Sequence, residues 1–332
     1  MDKILGKFSK RDAVNLVVDG YRGTSSVAKY SAEERLEGSR NLLNELIKDG
    51  GYKKQLVREQ IFEIITESLD VISPRLLEDS VGRWAEVKQF KHGQKVEFTV
   101  KSGKVEAFFA VEGGDVKRGR IYDQRFTVST RYIQIEVYEE ISRLLTGDVD
   151  FNELIDAAIE AFDAKYYEMI NTAFVAAYNT MPDTNKISTD DTIVEAEFDR
   201  LIQIVGSYGK PIILGTGLGL AKLPQQLADQ ANADIYNNGY VGKYKGVDVI
   251  KLDNAVTDET NTEFQMDDSL IYIIPEGKDK IVKVALEGET LIKADTGADW
   301  TENYRLGRRV GTAVVQTHHF GVCKVTSLAK KE

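Results

Sequence analysis

Few residues in this chain have the types and spacing that do chemistry. The run Pro211-Ile212-Ile213-Leu214-Gly215-Thr216-Gly217-Leu218-Gly219 reads as a strand entering a glycine-rich turn, where backbone N–H groups can cradle a nucleotide's phosphates. The dinucleotide fingerprint needs glycine at position 220 and meets Leu220. No first βα unit with an acid about twenty residues on is evident either, so a tight strand-to-helix turn is the simpler reading. His318 and His319 fall in a stretch of β character, and adjacent strand residues point to opposite faces, which keeps the pair from sharing a metal. Cys323, the single cysteine, has no partner for a disulfide or a CxxC zinc site and reads as a small buried hydrophobe. Asp190-Asp191 and Asp267-Asp268 lack the glycine and terminal glutamate of a calcium loop. The acids Glu153, Asp156, Glu160, Asp163 and Glu168 occur without a Glu-x-x-His motif, so they form a wet helix face. No catalytic residues, metal site or cofactor are expected from these groups.

Composition points the same way. The 332 residues are 42% hydrophobic with only five prolines, ample for a large core and unlike a disordered tail. A net charge of −10 weighs against a protein whose main task is coating nucleic acid. The N-terminal residues lack the apolar core of a secretory signal, and no 18-residue apolar run spells a membrane span.

Residues 1–30 carry six basic and three acidic side chains with weak periodicity, which predicts an extended arm. Ser31 and Glu34 form a capping box ahead of a helix that closes at Gly50-Gly51. A second helix is predicted over 53–69, with Pro74 stopping its continuation. From Gly93 the apolar period becomes two. Val96, Phe98 and Val100, a Lys101-Ser102-Gly103-Lys104 turn, then Val105, Ala107, Phe109 and Val111 predict a hairpin ribbon with one wet face, marginal unless it leans on something. Between Arg83 and Arg120 nine basic residues stand against five acidic ones, a local +4 within a chain of −10. Such a ribbon would seek an acidic surface that a neighbouring copy supplies.

A strand pair over 125–129 and 132–137 and a short helix over 138–145 are expected next. The longest helix follows over 151–178, with Leu154, Ala158, Phe162, Tyr166, Ile170, Phe174 and Ala177 at helical spacing and Met181-Pro182 ending it. Residues 187–293 read as α/β, with helices over 196–206 and 218–230 and strands over 211–214, 247–251, 270–274 and 281–285. The stretch 253–268 holds six acids and no base. The tail 310–325 is expected to rejoin the sheet of the first half.

Three stretches resemble tailed-bacteriophage major capsid proteins. Residues 126–150 followed by the long helix are similar to that family's strand pair, short helix and spine helix. Gly242-Lys243-Tyr244-Lys245-Gly246-Val247-Asp248-Val249-Ile250 resembles its axial-domain G-x-x-x-G strand, and residues 211–223 resemble the strand, turn and helix beside it. The resemblance implies an α+β chain of the Hong Kong 97-type capsid fold, with an N-terminal arm (1–50), an extended loop (84–124), a discontinuous peripheral domain (51–83 with 125–185 and 294–332) and an axial domain (187–293). It implies intersubunit contacts by the loop residues Lys88, Lys91, Lys95, Lys101, Lys104, Lys117, Arg118 and Arg120, and basic contacts by Lys3, Lys7, Lys10 and Arg11 of the arm. Nothing singles out one loop lysine for a crosslink.

The implied function is a structural one. The chain would self-assemble into pentamers and hexamers of an icosahedral head around double-stranded DNA, bound without sequence specificity. The implied partners are a separate scaffolding protein, a portal and decoration proteins, with assembly in the host bacterial cytoplasm and no membrane. Two rivals stand beside it: an encapsulin-like compartment of the same fold, and a nucleotide-binding enzyme using Gly215 to Gly219.

Overall fold

The computed structural model describes residues 55–102, 122–139, 151–224, 239–256, 260, 264–277, 279–296 and 302–329. The predicted arm and first helix therefore lie outside the described residues. The leading helix is Gln55–Val81 and runs straight through Pro74, contrary to the stop expected there. A proline inside a helix forfeits one backbone hydrogen bond and costs about 3 kcal/mol. Burial on both sides offsets that: Leu69, Ile72, Leu77 and Val81 all enter the main core. Asp70, one turn before the proline, accepts the Thr290 amide at 2.9 Å and the Thr290 hydroxyl at 2.7 Å. The helix ends at Gly82, whose amide reaches the Glu78 carbonyl at 2.8 Å. A Cβ at Gly82 would fall on that carbonyl oxygen, so only glycine fits the turn.

Strands β1 (Ala85–Phe90), β2 (Glu97–Ser102), β3 (Tyr122–Thr127) and β4 (Arg131–Glu139) follow. The spine helix is Phe151–Thr180, one residue turn after another for about 45 Å. Beyond it come β5 (Lys186–Thr189), a helix Glu195–Gly206, β6 (Lys210–Gly215), a single turn Gly217–Leu220, β7 (Lys243–Tyr244), β8 (Val247–Lys251), β9 (Leu270–Glu276), β10 (Val282–Thr296), β11 (Glu302–Val314) and β12 (Gly321–Val325). They form a four-stranded sheet in the order β1-β10-β11-β4, a six-stranded sheet β5-β12-β9-β6-β8-β7, and a two-stranded ribbon β2-β3.

The pairings differ from expectation in several places. Lys101 and Ser102 are strand residues, not a turn, and β2 pairs with β3 from Glu97↔Thr127 to Ser102↔Tyr122. Residues 105–111, the expected partner, lie outside the described residues. The anticipated strand pair over 125–137 is no pair, because β3 belongs to the ribbon and β4 lies along β11. Tyr138 and Glu139 finish β4 where a short helix was expected, and 140–150 are not described. The helix expected over 218–230 is one turn among the described residues; Leu223 precedes Pro224, which disfavours helical backbone at that point.

Strand β10 runs fifteen residues and joins the four-stranded sheet, although residues 281–285 were expected with the axial strands. The tail divides. Strand β11 rejoins β4 as anticipated, whereas β12 sits inside the six-stranded sheet between β5 and β9. Val322 faces the main core while Cys323 and Val325 face a second one, so β12 is apolar on both sides and suits a central position.

The spine helix lies where the two sheets share the main core. Phe162, Tyr166, Ile170, Phe174 and Ala177 make its buried stripe. Phe174 stacks on Tyr272 of β9 at 4.2 Å and lies 6.1 Å from Trp84 and 6.4 Å from Phe320. On the surface, Arg83 bridges the end of the leading helix to Asp248 (2.7 Å) and Glu276 (3.1 Å) of the six-stranded sheet.

One spine-helix acid is misplaced in energetic terms. Asp163 has a buried carboxylate oxygen without a hydrogen-bond partner, and burial pushes its pKa up to about 6. The folded state thus holds a proton that the unfolded chain releases between its ordinary value and about pH 6, so stability falls as pH rises through that window. Asp163→Asn should be more stable than the parent by about 2 kcal/mol at pH 8, with the difference vanishing toward pH 4. Urea unfolding across that range checks it; a pH-independent difference would refute it.

Candidate assembly interface

The ribbon is positioned by its root. Val96, Phe98 and Val100 are buried as the alternation predicted, while Lys95 and Thr99 face solvent. Val96, Phe98 and Val128 pack with Ala285 of β10, and Phe90 and Ala313 complete this small cluster. Phe98 meets Phe90 edge-on at 5.6 Å. The marginal two-stranded unit thus leans at its base on the outer face of its own four-stranded sheet. Gly311 makes the approach possible: a Cβ there would stand 2.7 Å from the Ser129 carbonyl oxygen and 2.9 Å from Val128.

A buried charge lies under this seat. Lys283 of β10 is fully buried, donates to Glu86 of β1, and has its ammonium 5.8 Å from the centre of the Phe98 ring. Lys88 pairs with the same carboxylate and lies 5.2 Å from that ring. Burial pushes the Glu86 carboxyl up, but the hydrogen bonds from Lys283 and Lys88 outweigh it and leave the group below its usual range. Phe98 is therefore fixed by cations on the sheet as well as by apolar contact.

The predicted loop residues separate into those paired within the chain at the surface and those without a described side-chain partner. Lys88 is committed to Glu86, and Lys95 to Glu97, which also has Arg125 at 3.9 Å. Lys91 is exposed in the turn after β1. Lys101 occupies the strand position opposite Asp123. Lys104, Lys117, Arg118 and Arg120, and the arm residues Lys3, Lys7, Lys10 and Arg11, lie outside the described residues. Lys283, Glu86 and Gly311 were not legible as site residues, since a lysine in a strand reads as solvated and a glycine as a bend.

The other candidates serve packing. In the glycine turn, the Thr216 hydroxyl accepts the Gly219 amide at 3.4 Å and the Thr216 carbonyl accepts the Leu220 amide at 2.9 Å. A Cβ at Gly219 would come 2.9 Å from the Asp268 carbonyl oxygen, and one at Gly215 would press on Leu220. These glycines let the turn close against the start of β9, and the Gly219 and Leu220 amides are used within the turn. His318 and His319 lie in the turn between β11 and β12, not on a strand; His319 stacks on Tyr208 at 4.1 Å. Cys323 is buried, its thiol pushed up to about 12 by burial first and the charge of Glu197 second. Among the described residues no three His, Cys, Asp or Glu side chains gather as a metal site, and no helix is long and apolar enough to cross a membrane.

A spine helix shared between a four-stranded and a six-stranded sheet, with a ribbon rooted on the outer face of the first, is the Hong Kong 97-type capsid fold. The chain is similar in structure to the capsid of a native GTA particle (TM-score 0.51, 14% identity, over 74% of this chain and 89% of that one). It is similar likewise to the capsid of an empty GTA particle (TM-score 0.50, 14% identity, over 74% and 89%). The encapsulin of the holo-SrpI complex from Synechococcus elongatus PCC 7942 also aligns, at TM-score 0.47 and 14% identity over 79% of this chain and 90% of that one. No curated protein matches the sequence. A family model does, across residues 14–324, and the chain belongs to that family, described as "SPbeta prophage-derived putative capsid protein YonB". It is a phage-type capsid protein.

Proposed function

We propose that this chain is a major capsid protein whose copies form pentamers and hexamers of a closed icosahedral head holding double-stranded DNA. The observation that supports this best is the family match over residues 14–324 of a chain with a shell-forming fold. Residues 1–50 act as the arm, with Lys3, Lys7, Lys10 and Arg11 as its basic contacts, and residues 84–124 act as the extended loop laid over an adjacent copy. The four-stranded sheet and both long helices make the peripheral unit; the six-stranded sheet makes the axial one. Closed symmetry repeats each moderate contact many times, so burial supplies cohesion and charge sets register.

The net charge of −10 limits adhesion between shell and DNA, which fits packaging without sequence preference. In this reading the protein performs no catalysis, assembles in the bacterial cytoplasm with a separate scaffolding protein, and meets a portal and decoration proteins in the finished virion. The test is the content of purified particles. Nuclease-protected double-stranded DNA in particles from phage-producing cells is the expected result. Shells that hold a protein cargo and no DNA would replace this reading with an encapsulin-like compartment.

A further inference from the structure

Glu287 stands at an irregularity of β10, where the register with β11 slips between Glu287 and Leu291. Gly288 beside it has φ +75°, a left-handed backbone that other residues adopt only under strain. A Cβ at Gly288 would also meet His92 at 3.5 Å. This bulge brings Glu287 to the two places where the ribbon leaves the sheet. One carboxylate oxygen accepts the Gly93 amide at 3.4 Å, in the turn before β2. The other accepts the Thr130 hydroxyl, just after β3. Arg309 of β11 lies 3.9 Å from the second oxygen. The Glu287 side chain is only 8% exposed, so these bonds form away from bulk water.

We propose that Glu287 is the positioning residue of the extended loop, a latch in which one carboxylate ties both roots of the ribbon to the sheet and so fixes the direction in which the loop reaches a neighbouring copy. The reach toward a neighbour rests on the proposed shell function; the latch itself is a property of the single subunit. Mechanically, the apolar seat around Phe98 is one patch, and a ribbon held at one patch can still swing about it. A second attachment off that patch removes the swing. Glu287 supplies it at both strands at once, which a contact on either strand alone would not.

The Thr130 hydrogen bond holds the carboxyl below its usual range; burial opposes this, and the Gly93 amide and the charges of Arg309 and His92 reinforce it. The latch is accordingly present above about pH 4.3 and lost only as pH falls through the lower folded value.

Hydrogen exchange on the full-length, unassembled subunit tests the latch directly. In Glu287→Ala, exchange in segments 97–102 and 122–127 should rise roughly tenfold or more, while the six-stranded sheet and the melting temperature stay nearly unchanged. Thr130→Val removes one arm and should give a smaller rise in the same segments. The double variant should exchange no faster than Glu287→Ala, because both changes break one device. Unaltered ribbon exchange in either single variant, or additive effects in the double, would overturn the proposal. Should Glu287→Ala fail to fold, Thr130→Val alone decides it by the same criterion. Particle yield, read by sedimentation, should fall several-fold with the ribbon's loss of protection. If the parent protein yields no particles even when produced together with the other phage proteins, the shell reading fails, and the latch stands or falls by exchange.

Discussion

Phe174→Ala should destabilise the folded subunit by about 3–5 kcal/mol, the range for truncating a buried aromatic and leaving a cavity. Phe174 is fully buried and touches three aromatics from three parts of the chain: Trp84 before β1, Tyr272 on β9 and Phe320 before β12. It is the point at which the spine helix, the four-stranded sheet and the six-stranded sheet share one core. The surroundings cannot collapse to fill the space without moving a sheet, so the cost belongs at the upper end of the range. Denaturant unfolding of the subunit measures it. A loss below about 1 kcal/mol would mean that the sheets are held together elsewhere.

Reversing two loop charges should act on assembly and spare the fold. Lys101→Glu with Lys104→Glu takes the local balance between Arg83 and Arg120 from +4 to zero. Lys101 lies on β2 beyond the seat formed by Val96, Phe98 and Val128, and Lys88 and Lys95 are already paired within the chain. In the proposed assembly these two lysines supply part of the loop's positive charge to a neighbouring surface. A cost of about 1 kcal/mol at each interface, repeated around a closed shell, should lower particle yield at least tenfold. The variant subunit should remain folded and soluble. Because the proposed attraction is between charges on separate subunits, assembly of the parent should weaken as salt rises well above physiological strength. Normal particle yield from the double variant would deny the ribbon its electrostatic role.

Much of this architecture was legible from residue order, and its gaps have physical causes. The spine helix was readable because its apolar stripe continues over many turns and Met181-Pro182 cannot continue it. Strand β8 was readable because Val247 and Val249 alternate directly after the turn at Gly246. The leading helix read too short, because a proline rule of local sterics yields to burial on both sides of Pro74. Strand β12 was misplaced because a strand buried on both faces carries no alternation to say which sheet it joins.

The ribbon was half legible. Its first strand announces itself by Val96, Phe98 and Val100, whereas its partner Tyr122–Thr127 is mostly polar and loses to a nearer apolar run in any reading by proximity. Lys283 and Glu287 were invisible for a different reason. Each reads as an ordinary surface charge, and each acquires its role only from residues far away in the chain: Glu86 for the first, Gly93 and Thr130 for the second. Burial of a charge is a property of the assembled sheet and leaves no local pattern.

Electron microscopy of the purified full-length protein puts the whole account to the test most directly. Closed polyhedral containers are expected, in which the extended loop of each subunit (84–124) reaches from its root at Phe98 across the next one. Isolated globules under every assembly condition, with that segment packed on its own body from root to tip, would contradict it.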